Sequence, residues 1–140
     1  MSGVDKAALV LAVSAALSAG CASHAPDGAP CAVGERRMTA DLYFGLSVKG
    51  APDVSDARFT DFLDREVTPR FPQGLTVTDA QGRWRSAEGR IVREPSKMVQ
   101  IVLPGAADDL AKLDALRQAY KREFRQEAVL EVLTKACAAF

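Results

Sequence analysis

Between Asp41 and Val48 the side chains alternate, with Leu42, Phe44, Leu46 and Val48 on one side and Tyr43, Gly45 and Ser47 on the other. A period of two predicts a strand with one buried face. Pro52 and Asp53 then turn the chain and Ser55 offers an N-cap oxygen. Phe59, Phe62, Leu63 and Val67 recur at helical spacing until Pro69 withdraws a backbone donor. This spacing predicts a helix over 55–68. A short strand follows at Leu75 to Thr78. The turn-forming segments DAQG and SAEG flank Arg83, Trp84 and Arg85, which predicts a protruding hairpin or extended loop there. After Lys97 the run to Leu103 is apolar apart from Gln100 and suits a central strand, closed by Pro104 and Gly105. Asp108 or Asp109 opens a second helix, with Leu110, Leu113, Leu116, Tyr120 and Phe124 as its apolar stripe and acids at the positive end of its dipole. Val129 to Leu133 forms the last strand.

The order β, α, β, hairpin, β, α, β predicts an α+β domain of ferredoxin-like βαββαβ topology, a four-stranded antiparallel sheet with two helices on one face. The helix-covered face is expected to carry Leu42, Phe44, Leu75, Val77, Val99, Ile101, Leu130 and Val132. The open face is then left with Tyr43, Ser47, Thr76, Thr78, Met98, Gln100, Val102 and Glu131.

The chain before this domain has a different character. Ala7 to Ala19 is a 13-residue stretch of apolar and small residues, the length of a signal-peptide core. As a helix it reaches roughly 20 Å, short of a hydrocarbon layer of about 30 Å. The following LSAGC resembles the lipobox, in which the cysteine, here Cys21, is acylated and becomes the mature N-terminus. Leu17 sits one place further from the cysteine than usual, so ordinary cleavage to a soluble secreted protein is the alternative. Residues 1–20 are expected to form a signal peptide, 21–35 a flexible tether rich in Ala, Pro and Gly, and 36–140 a single domain. An exported chain meets an oxidising compartment, where three cysteines leave one unpaired. With Cys21 lipidated, Cys31 and Cys137 remain as an even pair. In the expected topology the first strand lies antiparallel beside the last, so the approach to Asp41 and the exit after Leu133 meet at one end of the sheet. A Cys31–Cys137 disulfide is expected.

Eighteen Lys and Arg balance eighteen Asp and Glu, so no basic surplus draws the chain to polyanions and nucleic acid is not an expected partner. His24, the single histidine, falls in the tether. No zinc spacing, phosphate loop or hydrolase elbow is present, so neither metal nor cofactor is expected and no catalytic residue stands out.

The segments DLYFGL, VTPRFPQGLTV, DAQGRWR and IVREPSK, with the ending ACAAF, resemble the bacterial family known as domain of unknown function 3574. The resemblance covers 36–140 and implies a small exported or lipid-anchored domain, with no reaction, cofactor or catalytic residue to carry over. Trp84 and the Glu94-Pro95-Ser96-Lys97 segment match most distinctively.

Tyr43, Thr76, Thr78, Gln100 and Glu131 are candidates for a polar patch on the open face, with Trp84, Arg85 and Lys97 among the residues at its rim. Arg forks suit carboxylate or phosphate, and tryptophan offers a stacking face. The expected function is a noncatalytic envelope domain, tethered to the membrane through lipid at Cys21 and facing the periplasm. Such a domain would bind a partner, or a second copy as a homodimer, through its open sheet face. The alternatives are a small-ligand or anion-binding protein and a cofactor-free enzyme of dimeric α/β barrel type.

Mass spectrometry of the protein from the membrane fraction of a bacterial host tests the leader. A chain starting at Cys21 with added acyl mass is expected, with two thiols that alkylate only after reduction. A full-length chain with three free thiols would contradict export.

Overall fold

The computed structural model describes residues 30–140. The expected signal segment, Cys21 and most of the tether lie outside the described residues. The elements follow in the order β1 (Glu35–Gly45), α1 (Asp56–Phe62), β2 (Thr76–Arg85), β3 (Ile91–Val102), α2 (Asp109–Phe124) and β4 (Leu130–Ala138). All strands are antiparallel, in the spatial order β2-β3-β1-β4. This is the ferredoxin-like arrangement expected from the periodicity. Among the described residues no helix is long and apolar enough to cross a membrane.

Ser55 caps α1 as expected, its hydroxyl accepting from the Arg58 amide at 3.3 Å. The helix then loosens into a π-helical segment, Leu63–Val67, closed by the Thr68 amide on the Leu63 carbonyl, just before Pro69 removes the next donor. At α2 the capping differs from the usual pattern. The Asp109 carboxylate reaches back to the Gly105 and Ala106 amides, both at 2.8 Å, and so satisfies donors of the preceding turn.

The core gathers on the helix side of β1 and β3. Leu42, Phe44, Val99 and Ile101 pack against Phe59, Phe62, Leu113, Leu116, Tyr120 and Phe124. Phe44 makes edge contacts with Phe59, Phe62 and Tyr120 at centroid distances of 5.7, 6.0 and 4.7 Å. Leu110, expected in the helical stripe, is exposed, because the buried stripe runs through Asp109, Leu113, Leu116, Tyr120 and Phe124 and Leu110 falls at its edge.

Two expectations are corrected and one is narrowed. Of the protruding hairpin and the extended loop expected around Arg83, Trp84 and Arg85, the structure has the hairpin, with all three as strand residues of β2 opposite Arg93, Val92 and Ile91. A long hairpin runs on past the end of β1, and ladder pairing overrides the local turn signals. The face assignment of β4 is also reversed. Leu42 pairs with Glu131 and Tyr43 with Leu130, so Glu131 shares the helix side while Leu130 and Val132 share the open side. Glu131 there meets Arg117 of α2 at 3.6 Å. A slip of one residue inverts every side chain of a strand, and the run VLEVL fits either register. Finally, Lys97 pairs with Phe44 in the ladder and points to the helix side. Its ammonium lies 2.7 Å from Asp56, in the first turn of α1, and 2.5 Å from Asp79, its neighbour on β2.

Cys31 and Cys137 form a disulfide with Cα atoms 5.6 Å apart at a sequence separation of 106. The chain enters β1 there so close to β4 that a Cβ on Gly34 would lie 2.0 Å from the Ala138 carbonyl oxygen, and Gly34 has φ +72°. Only glycine fits that approach.

Closing a loop of about 100 residues stabilises by roughly 4 to 5 kcal/mol in the chain-entropy model, an upper figure. The double variant Cys31→Ala/Cys137→Ala should therefore unfold at markedly lower urea than the oxidised protein and match the reduced wild type. Equal midpoints for oxidised and reduced protein would contradict a structural staple. The Asp56 and then the Asp79 hydrogen bonds raise the Lys97 pKa above its ordinary value. A raised folded pKa contributes stability that is complete below the unfolded lysine pKa and is lost as pH climbs through the folded value. In alkaline urea titrations the wild type should lose stability more steeply than Lys97→Met, which should be weaker by about 1 kcal/mol at neutral pH. Parallel alkaline limbs would show that the network contributes nothing.

Candidate functional site

β1 ends at Gly45 while the β2–β3 hairpin continues, so the hairpin overhangs the end of the sheet. Along this overhang the pleat sends Ala80, Gly82 and Trp84 of β2 and Glu94 and Ser96 of β3 to the open side, together with Tyr43 and Gly45 of β1. These residues, with Gln81 and Arg83 of β2 and Gln126, Ala128 and Leu130 from the turn into β4, line a half-open cleft of about 300 Å³.

The cleft exists because its floor lacks side chains. A Cβ on Gly45 would stand 2.6 Å from both carboxylate oxygens of Glu94. One on Gly82 would stand 2.9 Å from the Ser96 hydroxyl and 3.5 Å from Glu94 Cγ. Glu94 thus lies across two glycines, only 7% exposed. Trp84 Nε1 donates to its Oε1 at 2.6 Å, which fixes the indole as one wall. Tyr43 and Leu130 stand across the cleft from the hairpin.

Beneath the floor, the buried Tyr120 hydroxyl donates to the Gly45 carbonyl at 2.8 Å. Burial, and after it the negative charge of Glu94, hold the Tyr120 phenol above its ordinary pKa, so it remains a donor at any physiological pH. The strand end that carries the floor is therefore tied to α2. A second hollow of about 230 Å³ adjoins on the far side of Trp84, where Lys49 and Glu88 pair at 3.4 Å and Arg90 and Arg125 also line the wall.

The residues expected from sequence divide into two groups. Tyr43, Thr76, Thr78 and Gln100 do share the open face, where Gln100 Nε2 donates to Asp41 at 2.9 Å. Trp84 joins Tyr43 in the cleft. Arg85 lies on the opposite side of the pleat from Trp84 and donates to the Gly89 carbonyl within its own turn. Lys97 and Glu131 face the helices. Strand alternation thus parts Arg85 from Trp84, while Arg83 borders the cleft beside Trp84. Glu94, Ser96 and the two glycines were missed as site residues. Their sequence signals were the Glu-Pro-Ser run and a glycine interrupting the apolar and polar alternation of β1. Among the described residues no cluster of His, Cys, Asp and Glu is arranged to hold a metal.

Comparison with solved structures finds the same arrangement of elements elsewhere. A phage SAM lyase in complex with S-methyl-5'-thioadenosine matches with a TM-score of 0.55 and 21% identity, over 73% of this chain and 90% of that one. The apo form of a phage SAM lyase matches with a TM-score of 0.54 and 21% identity, over 75% and 92%. CutA from Synechococcus elongatus, complexed with a Bis-Tris molecule, gives 0.49 and 14%, over 77% and 88%. At these identities the likeness to the lyases is one of fold. Comparison with curated proteins found no match. The family model described as protein of unknown function, DUF3574, matches residues 39–140, which hold every residue of the cleft, and the chain belongs to that family.

Proposed function

We propose that this is a small-molecule-binding domain of the bacterial cell envelope, carried on a lipid anchor at Cys21 and using the cleft on its open sheet face. The observation that carries the proposal is the two-glycine floor: the backbone at Gly45 and Gly82 leaves open the space in which Glu94, Trp84 and Tyr43 present their polar and aromatic surfaces. Concave, mostly apolar hollows of some 300 Å³ and more with a few placed polar groups are the usual form of ligand sites. The phage SAM lyase of similar fold, described with S-methyl-5'-thioadenosine, supports the idea that this layout of strands can hold a compact ligand. The Cys31–Cys137 disulfide supports export.

A second reading is pairing of two copies through the open face. Leu130 and Val132, 60% and 40% exposed beside the cleft, favour it.

A fragment screen read by amide chemical shifts on residues 30–140 tests the binding proposal. Shifts should cluster on Tyr43, Gly82, Trp84, Glu94, Ser96 and Leu130, and Gly82→Val, which fills the floor, should abolish them while retaining the fold. Shifts scattered over the surface, or unchanged in Gly82→Val, would overturn it. Concentration-dependent shifts on Leu130 and Val132 without any ligand would favour the paired form.

A further inference from the structure

The character of the ligand follows from what surrounds Glu94. This carboxylate is nearly fully buried, yet its one hydrogen bond is from a neutral donor, Trp84 Nε1. Among the described residues no Lys or Arg forms an ion pair with it. A buried carboxylate without a cationic partner carries a desolvation cost that a neutral donor offsets only in part.

None of the nearby basic residues is paired with Glu94. Arg83 borders the cleft, but it and Arg93 sit opposite one another in the ladder, one place out of phase with Trp84 and Glu94. Arg85 is bonded to its own turn and Lys97 to two aspartates beneath the sheet. Arg90 and Arg125 line the adjoining hollow beyond the indole, which Glu94 also borders without an ion pair to either. The cleft is therefore a place where negative charge and aromatic surface meet. Indole and phenol faces attract cations through their quadrupoles, and more strongly when water is excluded. Gln126 commits one of its two Nε2 hydrogens to the Ser47 carbonyl.

We infer that the cleft takes a small organic ammonium ion, with its charged head on the Glu94 carboxylate and a flat apolar body held between Tyr43, Trp84 and Leu130. The inference rests on the binding role proposed above and adds the charge class of the ligand. Because the amine supplies the positive charge that the fold withholds from Glu94, affinity depends on the sign of the ligand's head group more than on its body.

Three probes of matched shape separate these contributions: phenethylamine, 2-phenylethanol and phenylacetate, which carry positive, zero and negative charge on one phenyl body. Trp84 is the only tryptophan of the chain, and its emission reports occupancy of the cleft or of the hollow behind the indole; Gly82→Val, which alters the cleft alone, tells the two apart. Phenethylamine should saturate with a Kd at least about tenfold below that of 2-phenylethanol, as expected for a charge-assisted hydrogen bond, and phenylacetate should bind weakest. Glu94→Gln keeps the size of the side chain and an acceptor for the indole; in it the amine should fall to the level of the alcohol. Should that variant fail to fold, the ranking on the wild type still decides. Alcohol or acid binding as tightly as the amine would overturn the charge inference and leave the binding role standing. No saturable change with phenethylamine overturns the inference as well, and fragment shifts clustering in the cleft then show whether the binding role survives it.

Discussion

The contact on which the rest of the molecule depends is that between Phe44 and Tyr120. Phe44 stands at the middle of an edge-to-face cluster that includes both aromatic residues of α1, Phe59 and Phe62, and reaches α2 through the Tyr120 ring at 4.7 Å. Such pairs add to area burial because the positive ring edge meets the negative face. Tyr120 then extends the contact beyond packing, since its hydroxyl is bonded to the carbonyl of Gly45, the next residue along β1. One strand end is thereby clamped from below by a helix. The following glycine position, facing the other way, becomes a fixed floor for Glu94. Core and cleft are the two sides of the same dipeptide.

Strand alternation is the second constraint. On the hairpin it turns the sequence Arg-Trp-Arg into a tryptophan on one side and two arginines on the other, and it places Glu94 two residues from Ser96 on the tryptophan side. Charges adjacent in sequence are thus divided between solvent and cleft. The same rule sends Lys97 below the sheet, where Asp56 at the start of α1 and Asp79 of β2 neutralise it. An ammonium supported by two carboxylates belongs to the architecture, while the Glu94 carboxylate is held by the Trp84 indole instead.

The edges of the sheet are held by different means. β4 pairs only with β1, so its outer side exposes backbone and apolar side chains, including Leu130 and Val132 on the open face. The disulfide ties the far end of this strand to the start of β1. An edge strand that buries little gains most from such a covalent restraint, because it would otherwise fray at small cost.

The local pattern of residues was enough to determine the order and type of every element, the ferredoxin-like topology, the cap at Ser55 and the pairing of Cys31 with Cys137. Each depends on period, spacing or connectivity, which a chain carries along its length. Neither the faces of β4 nor the strand identity of Arg83 to Arg85 was legible. An edge strand with mixed exposure fits two registers, and turn signals inside a long hairpin are outweighed by ladder bonds to a distant partner. The site lay further out of reach. Glu94 became a site residue only when Gly45, forty-nine positions earlier, and Gly82 met beneath it. The absence of a side chain has consequences only where another strand fills the space, and that depends on tertiary register.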